Sequence, residues 1–144
     1  MIHVDSVTAA VTTLLSADPV LVSSGFCVQE GESLNKSLHL TPWVGVYHGN
    51  LSVSPHTLGG DEPWQGDLEL LVYVQDGSHR SGQDATQRLN RAQAAVLEAL
   101  RGNPSLGGSV MMWKALDIAP FRRDLVNDTW LFSNEILIHA LVRA

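Results

Sequence analysis

The sequence has few of the features that indicate a disulfide-bonded, membrane-spanning or secreted protein. It has one cysteine, Cys27, among 144 residues, so no disulfide can form within the chain. We expect that thiol to be small, buried or half-buried, and structural. No segment approaches the roughly 18 apolar residues that a membrane span needs. The N-terminal residues lack the basic and apolar regions of a signal peptide, so we expect an intracellular protein where it is made.

Motifs that carry chemistry are also missing. No serine lies in a Gly-x-Ser-x-Gly turn, and no glycine-rich segment is followed by the Lys-Ser/Thr of a phosphate loop. The six histidines form no zinc pattern. His48, His56 and Asp61 flank one loop and could converge on a metal, but they lack a fourth ligand. The sequence therefore predicts no catalytic, metal or cofactor residues, and a protein that is not an enzyme.

Basic residues are scarce and unevenly placed. The net charge is −6, with nine acids and one base in residues 1–76, and six acids and eight bases after them. A protein that binds nucleic acid tightly would show a basic face able to neutralise several phosphates. The basic groupings are Arg88 with Arg91 and Arg122 with Arg123. They are either solvated or meet acidic groups of a neighbouring copy or another protein.

The segment 67–102 has the clearest pattern and reads as a strand, a turn and a helix. Leu68, Leu70, Val72 and Val74 alternate with the other residues of 67–75, which is typical of a strand. The apolar residues of the helix recur three or four positions apart and share one stripe: Ala85, Leu89, Ala92, Val96 and Leu100. Ser81 or Asp84 can cap its start, and Gly102 is expected to end it in a left-handed conformation.

The rest of the chain supplies a second helix and more strands. We predict a helix over 5–17 ended by Asp18-Pro19, a short strand over 26–30, and a strand over 42–53 with a bend at Gly49-Asn50. The irregular segment 54–64 would be a long arm between two paired strands. Further strands are expected over 110–118 and 129–143, joined by a charged connection over 121–128. The last strand exceeds the usual length, so part of it should extend past its own domain and pair with, or pack on, something else.

These elements predict one α+β domain over 1–144. It has a mostly antiparallel sheet of four to five strands, one long helix packed on a face, and a second, N-terminal helix. The other sheet face is apolar enough to need cover, since it carries Leu71, Tyr73, Trp113, Leu137 and Leu141. The first helix would supply part of that cover, and an oligomer would be a natural solution.

The layout as a whole resembles the tail terminator proteins of long-tailed bacteriophages, the lambda gpU-like family. The resemblance covers most of the chain and is carried by an N-terminal helix, a strand pair with an arm through 55–63, and the strand Asp67-Leu-Glu-Leu-Leu-Val-Tyr-Val. The helix that begins at Asp84, the following Gly-x-Pro-x-Leu-Gly-Gly and the closing strands complete it. The family has no catalytic motif to match.

The resemblance implies a structural protein of the virion, assembled in the host cytoplasm. It would form a homohexameric ring on the end of the tail tube, stop tube polymerisation, and offer a surface to the neck or head-completion protein. DNA would pass through the lumen without specific binding, and acids from residues 1–76 would help to line that lumen. The residues expected at oligomer or tube interfaces are Leu58, Trp64, Arg122, Arg123 and His139. A head–tail joining protein, a small binding module and an enzyme remain as alternatives.

Overall fold

The computed structural model describes residues 4–31, 42–54, 65–78, 82–126 and 129–143. Within these ranges, three α-helices and six strands follow one another, with a short 3-10 turn at Leu106–Gly108. In chain order they are α1 (Val4–Ser16), α2 (Pro19–Ser23), β1 (Cys27–Glu30), β2 (Trp43–Ser54), β3 (Gln65–Ser78), α3 (Gly82–Arg101), β4 (Met112–Ile118), β5 (Arg122–Val126) and β6 (Thr129–Arg143). The predicted α+β class is confirmed, and the sheet holds one strand more than the four to five expected.

The strands form one sheet in the order β1-β2-β3-β6-β4, and β5 also pairs with β6. The pair β1–β2 is parallel, and the other pairs between these strands are antiparallel. The predicted hairpin of β2 and β3 is present, with a register shift between His48 and Leu51 at the expected bend. The arm that joins these two strands lies outside the described residues.

One face of the sheet, which we call the helix face, carries the core. Its buried residues include Val44 of β2, Val72 of β3 and Ile138 of β6. The stripe predicted for α3 packs there, with none of its five residues more than 1% exposed. Buried residues of α1 belong to the same core cluster. Both long helices therefore cover the helix face, which corrects the expectation that α1 would help to cover the other side.

Side chains complete the ends of the helices. The Asp18 carboxylate accepts hydrogen bonds from the backbone N–H groups of Val20 and Leu21, at 3.0 and 3.1 Å, and thereby caps α2. At the end of α3, the Asn103 side-chain amide donates to the Ala99 carbonyl at 2.8 Å. Gly102 has no positive φ, so the left-handed stop expected there is wrong. Asn103 supplies the partner that a Gly-based cap would otherwise have supplied.

The closing strands differ from the expectation in two ways. Residues 122–126 form strand β5 instead of a connection, and β5 pairs with the first part of β6. The length of β6 is used within the chain, because β3 pairs along it on one side while β5 and β4 share its other side. The expectation that part of β6 pairs with an outside strand is therefore wrong, whereas its packing on another molecule stays a prediction.

Two smaller predictions are also corrected. A register shift between Trp113 and Ala115 reverses the alternation of β4, so Trp113 lies on the helix face with Leu116 instead of opposite it. The Trp113 indole N–H donates to the Asn103 carbonyl at 3.1 Å there. Cys27 is exposed, not buried, because on the edge strand β1 its side chain lies on the face opposite that of Val28, which packs against the core.

No helix in the described ranges has the length and apolar character needed to cross a membrane.

Candidate assembly interface

Strands β4 and β5 lie in tandem along the outer side of β6. Both pair with β6 on the side away from β3, and no strand of the described ranges pairs with their own outer edges. Such an edge presents unpaired N–H and C=O groups that can pair with another chain. It is therefore the first candidate for a contact between molecules.

This edge is also apolar. Four large apolar side chains on its helix face are exposed, and we call them the edge stripe: Leu116, Ile118, Leu125 and Trp130. Leu125 is 59% exposed and stands opposite Trp130, which is 49% exposed. Residues like these, gathered along one unpaired edge, are typical of an interaction surface.

The structure places Arg122 and Arg123 at this edge, both exposed and on opposite faces of β5. Arg122 pairs with Ser133, and Arg123 pairs with Phe132 of the helix face. The two arginines therefore cannot serve one contact in the same way. Their predicted role at an interface remains a prediction.

His139 lies on the sheet face opposite the helix face, half-buried and away from β5. Its Nδ1 is 3.7 Å from Oδ1 of Asp67, and the Lys114 ammonium is 2.6 Å from Oδ2 of the same carboxylate. The hydrogen bond from Lys114 holds the pKa of Asp67 below its ordinary range, although burial opposes it. His139 thus belongs to a cluster of three charged or titratable groups. Leu58 and Trp64 lie outside the described residues.

Asp76, another acid of the N-terminal half, is buried and paired with a base. Asp76 is 1% exposed, its Oδ2 lies 2.6 Å from Nε of Arg88, and its Oδ1 accepts from the Gly77 N–H at 2.8 Å. Burial raises the pKa of Asp76 in spite of Arg88 and Gly77. Asp76 and Asp67 are therefore both paired with bases from the second half of the chain.

Aromatic and polar side chains pack on the face opposite the helices. The Trp43 and Tyr73 rings lie 5.8 Å apart, and the Tyr73 hydroxyl donates to the Gln75 side-chain carbonyl at 3.2 Å. The Tyr47 hydroxyl donates to Glu135 at 3.0 Å on the same face. Within the described part of the chain, no group of three or more His, Cys, Asp or Glu side chains could hold a metal ion. His56 and Asp61, two members of the metal cluster considered from the sequence, lie outside it.

The edge stripe is the feature that sequence reasoning missed. Alternation placed Leu116, Ile118 and Trp130 on an apolar face, which reads as core. Whether such a face is covered depends on the position of the strand in the sheet, and that is not a local property.

Comparisons with known proteins include a full-length structural likeness. No family model matches the chain, and no curated protein sequence matches it. Among solved structures, the chain is similar to one from the virion of a native gene transfer agent particle. The superposition has a TM-score of 0.52 and 18% sequence identity, and it covers 100% of both chains. At that identity the likeness shows a shared fold.

Proposed function

We propose that this chain is a structural protein of a phage-like virion, and more finely that it is a tail terminator. In that role it forms a ring on the last ring of the tail tube, stops further polymerisation, and offers its other side to the neck. The observation that carries the proposal is the fold shared over the full length with a chain of a gene transfer agent virion. The layout that resembles tail terminators supports the finer assignment.

The two ends of the sheet suit a ring. A head-to-tail contact between two different surfaces closes into a ring when the rotation between copies allows it, whereas a contact between two identical surfaces stops at a dimer. The outer edges of β1 and of β4 with β5 are different surfaces at opposite ends of one sheet. The role is mechanical, and it requires no catalytic group.

The sheet face opposite the helices is the surface we assign to the lumen. It carries Glu69, Asp117 and Glu135. Glu69 and Glu135 lie two residues from Leu71 and Leu137 along their strands, and Asp117 pairs directly with Leu137. An acidic lumen would repel DNA phosphates and favour sliding. Asp76 is buried on the helix face and contributes nothing there, and Asp67 is neutralised by Lys114. The proposed lumen thus depends on acids from both halves of the chain.

The first test is the assembly state of the purified protein. We expect a six-fold ring by native mass measurement and electron microscopy, either alone or after addition of the tail tube protein. In particles made without the gene, tails should be of uncontrolled length. Tails of normal length that lack only their heads would instead indicate a head–tail joining protein.

The second test is reversal of charge at Arg122 and Arg123. Both side chains are exposed on the unpaired edge, so the double variant to glutamate should fold with an unchanged circular dichroism spectrum. We expect weaker ring assembly or weaker tube attachment. Arg101→Glu is the control, because Arg101 is exposed at the end of α3 and belongs to neither edge strand. Normal assembly and tail length in the double variant would count against the assignment.

A further inference from the structure

We propose that β5 of one copy pairs antiparallel with β1 of the next, with Arg123 opposite Glu30 and Leu125 opposite Val28. This inference rests on the proposed ring and names its contact. The pairing is supported by the free edges, the directions of the backbone groups, side chains and strands, and the charges.

Both strands have an unpaired outer edge within the described ranges. Strand β1 ends the sheet on one side, where β2 is its partner. Strand β5 lies on the other side, where β6 is its partner. Joining the two edges would continue the sheet from copy to copy.

In β1, Val28 and Glu30 direct their backbone groups outward. The Cys27 N–H donates to Pro42 at 2.9 Å, and the Gly31 N–H donates to Val46 at 2.8 Å. In a parallel pair, alternate residues of a strand bond to the same partner strand. The odd-numbered residues of β1 therefore face β2, and Val28 and Glu30 face the free edge.

In β5, Arg123 and Leu125 direct their backbone groups outward. Carbonyls of two odd-numbered β6 residues, Leu141 and Glu135, accept from Met111 and Ala119 at 2.8 and 2.9 Å on this side of β6. By alternation, the odd-numbered β6 residues opposite β5 also bond toward it. These residues pair with positions 122 and 124, which leaves positions 123 and 125 facing the free edge.

The side chains of the four outward residues lie on the same sheet face. Val28 pairs with Val44 of the helix face, and Glu30 follows it by two. Arg123 pairs with Phe132 of the helix face, and Leu125 follows it by two. Two edges can join without reversing the faces only if their outward residues share a face, and these do.

Direction and charge then select the register. Strands β1 and β5 run in opposite directions in the sheet, so copies placed side by side in the same orientation bring them together antiparallel. The register that sets Glu30 opposite Arg123 also sets Val28 opposite Leu125, a charge pair and an apolar pair.

Pairing β5 with β5 of another copy would set Arg123 against Arg123 or against Leu125, with no compensating acid among the outward residues. Pairing β1 with β4 would set Glu30 against apolar residues of the edge stripe.

Charge exchange between the two edges tests the pairing. Glu30→Arg and Arg123→Glu alone should each weaken ring assembly at least about tenfold, because each places like charges opposite one another. The double exchange should restore assembly. Both side chains are exposed, so the monomer should fold in all three variants, which circular dichroism checks. Arg101→Glu is again the matched control.

A disulfide between copies tests the register. In a Cys27→Ser background, which removes the chain's one native thiol, we combine Glu30→Cys with Arg123→Cys. Directly opposite residues in a hydrogen-bonded antiparallel pair have Cα atoms about 5.5 Å apart, within the disulfide range of about 4.4–6.8 Å. Mild oxidation should give a ladder of multimers on a denaturing gel, and neither single-cysteine variant should give one.

The outcomes separate this inference from the proposed function. The pairing would be overturned, and the terminator role left intact, by one combination of results. In it the native protein forms rings, but the double charge exchange does not restore assembly and the cysteine pair does not crosslink. A crosslinked dimer from Arg123→Cys alone would show self-pairing of β5 and would also overturn it. If the native protein makes no ring, even with the tail tube protein, the proposed function and the pairing both fail.

Discussion

The buried pair Asp76–Arg88 gives the sharpest prediction for stability. Asp76 stands near the end of β3 on the helix face, and Arg88 reaches it from α3. The carboxylate is almost wholly buried, whereas the Arg88 side chain is 40% exposed. We replace Arg88 with methionine, which keeps the length of the side chain and removes its charge. The expected loss in free energy of unfolding is about 3 kcal/mol, because the variant leaves an uncompensated buried charge. That value is the low end of the range, since the exposed arginine is partly screened by solvent.

The matched variant Asp76→Asn should cost much less, about 1 kcal/mol. The asparagine side-chain oxygen can still accept from the Gly77 N–H, and Arg88 can turn toward solvent. The double variant should resemble Asp76→Asn alone, because the arginine matters only while the acid is charged. Arg101→Met is the control. Its exposed pair with Glu98 at 3.5 Å should contribute less than about 1 kcal/mol.

The pH dependence follows from the raised pKa of Asp76. A carboxyl whose pKa is higher in the folded than in the unfolded state contributes stability below its ordinary pKa, and that stability is lost as pH rises through the folded value. Without Arg88 the folded pKa rises further. The deficit of Arg88→Met should therefore be largest at about pH 7 and smaller at about pH 4.5.

The assay is urea unfolding, followed by far-ultraviolet circular dichroism, at both pH values. A deficit that does not change with pH would refute the electrostatic explanation. So would an Asp76→Asn variant that loses as much stability as Arg88→Met at neutral pH.

Two other substitutions test packing and surface charge. Gly45→Ala should lower the free energy of unfolding by about 1–3 kcal/mol, measured by the same assay, because a Cβ there would lie 2.8 Å from the Trp43 ring and 2.9 Å from the Gly31 carbonyl. No change would mean that the ring moves aside freely. Lys114→Met should cost less than about 1 kcal/mol at neutral pH, since both partners are partly exposed. Because the pKa of Asp67 is lowered, this deficit should fade as pH falls through the acid range, and a deficit that grows would contradict it.

Local patterns in the sequence predicted the elements because periodicity is a local property. The alternation of Leu68 to Val74 and the stripe from Ala85 to Leu100 are both confirmed, and all of these residues are nearly fully buried. The bend at Gly49-Asn50 is likewise a local signal. Each of these patterns depends on residues within a few positions of one another.

Pairing between strands could not be predicted in the same way. The length of β6 suggested an outside partner, but β4 and β5 together occupy the side of β6 that β3 leaves free. The register shift between Trp113 and Ala115 inserts one residue and thereby reverses the faces of half a strand. No feature of residues 110–118 by themselves requires that insertion. It follows from the fit of β4 to β6, with Trp113 hydrogen-bonded to Asn103 after α3.

The charge asymmetry along the sequence shows why composition alone is a weak guide to a surface. Counted by halves, the acids of residues 1–76 seemed available to one acidic region. In the fold, Asp67 meets Lys114 and Asp76 meets Arg88, so bases of the second half neutralise acids of the first. The charges that remain to define surfaces are those assigned by strand position, such as Glu30 at one sheet edge and Arg123 at the other. A strand of four residues and a strand of five can therefore decide assembly, although their charges are a small part of the total. The charge exchange between Glu30 and Arg123 separates these two views, because it changes the edges and leaves the net charge of the chain as it is.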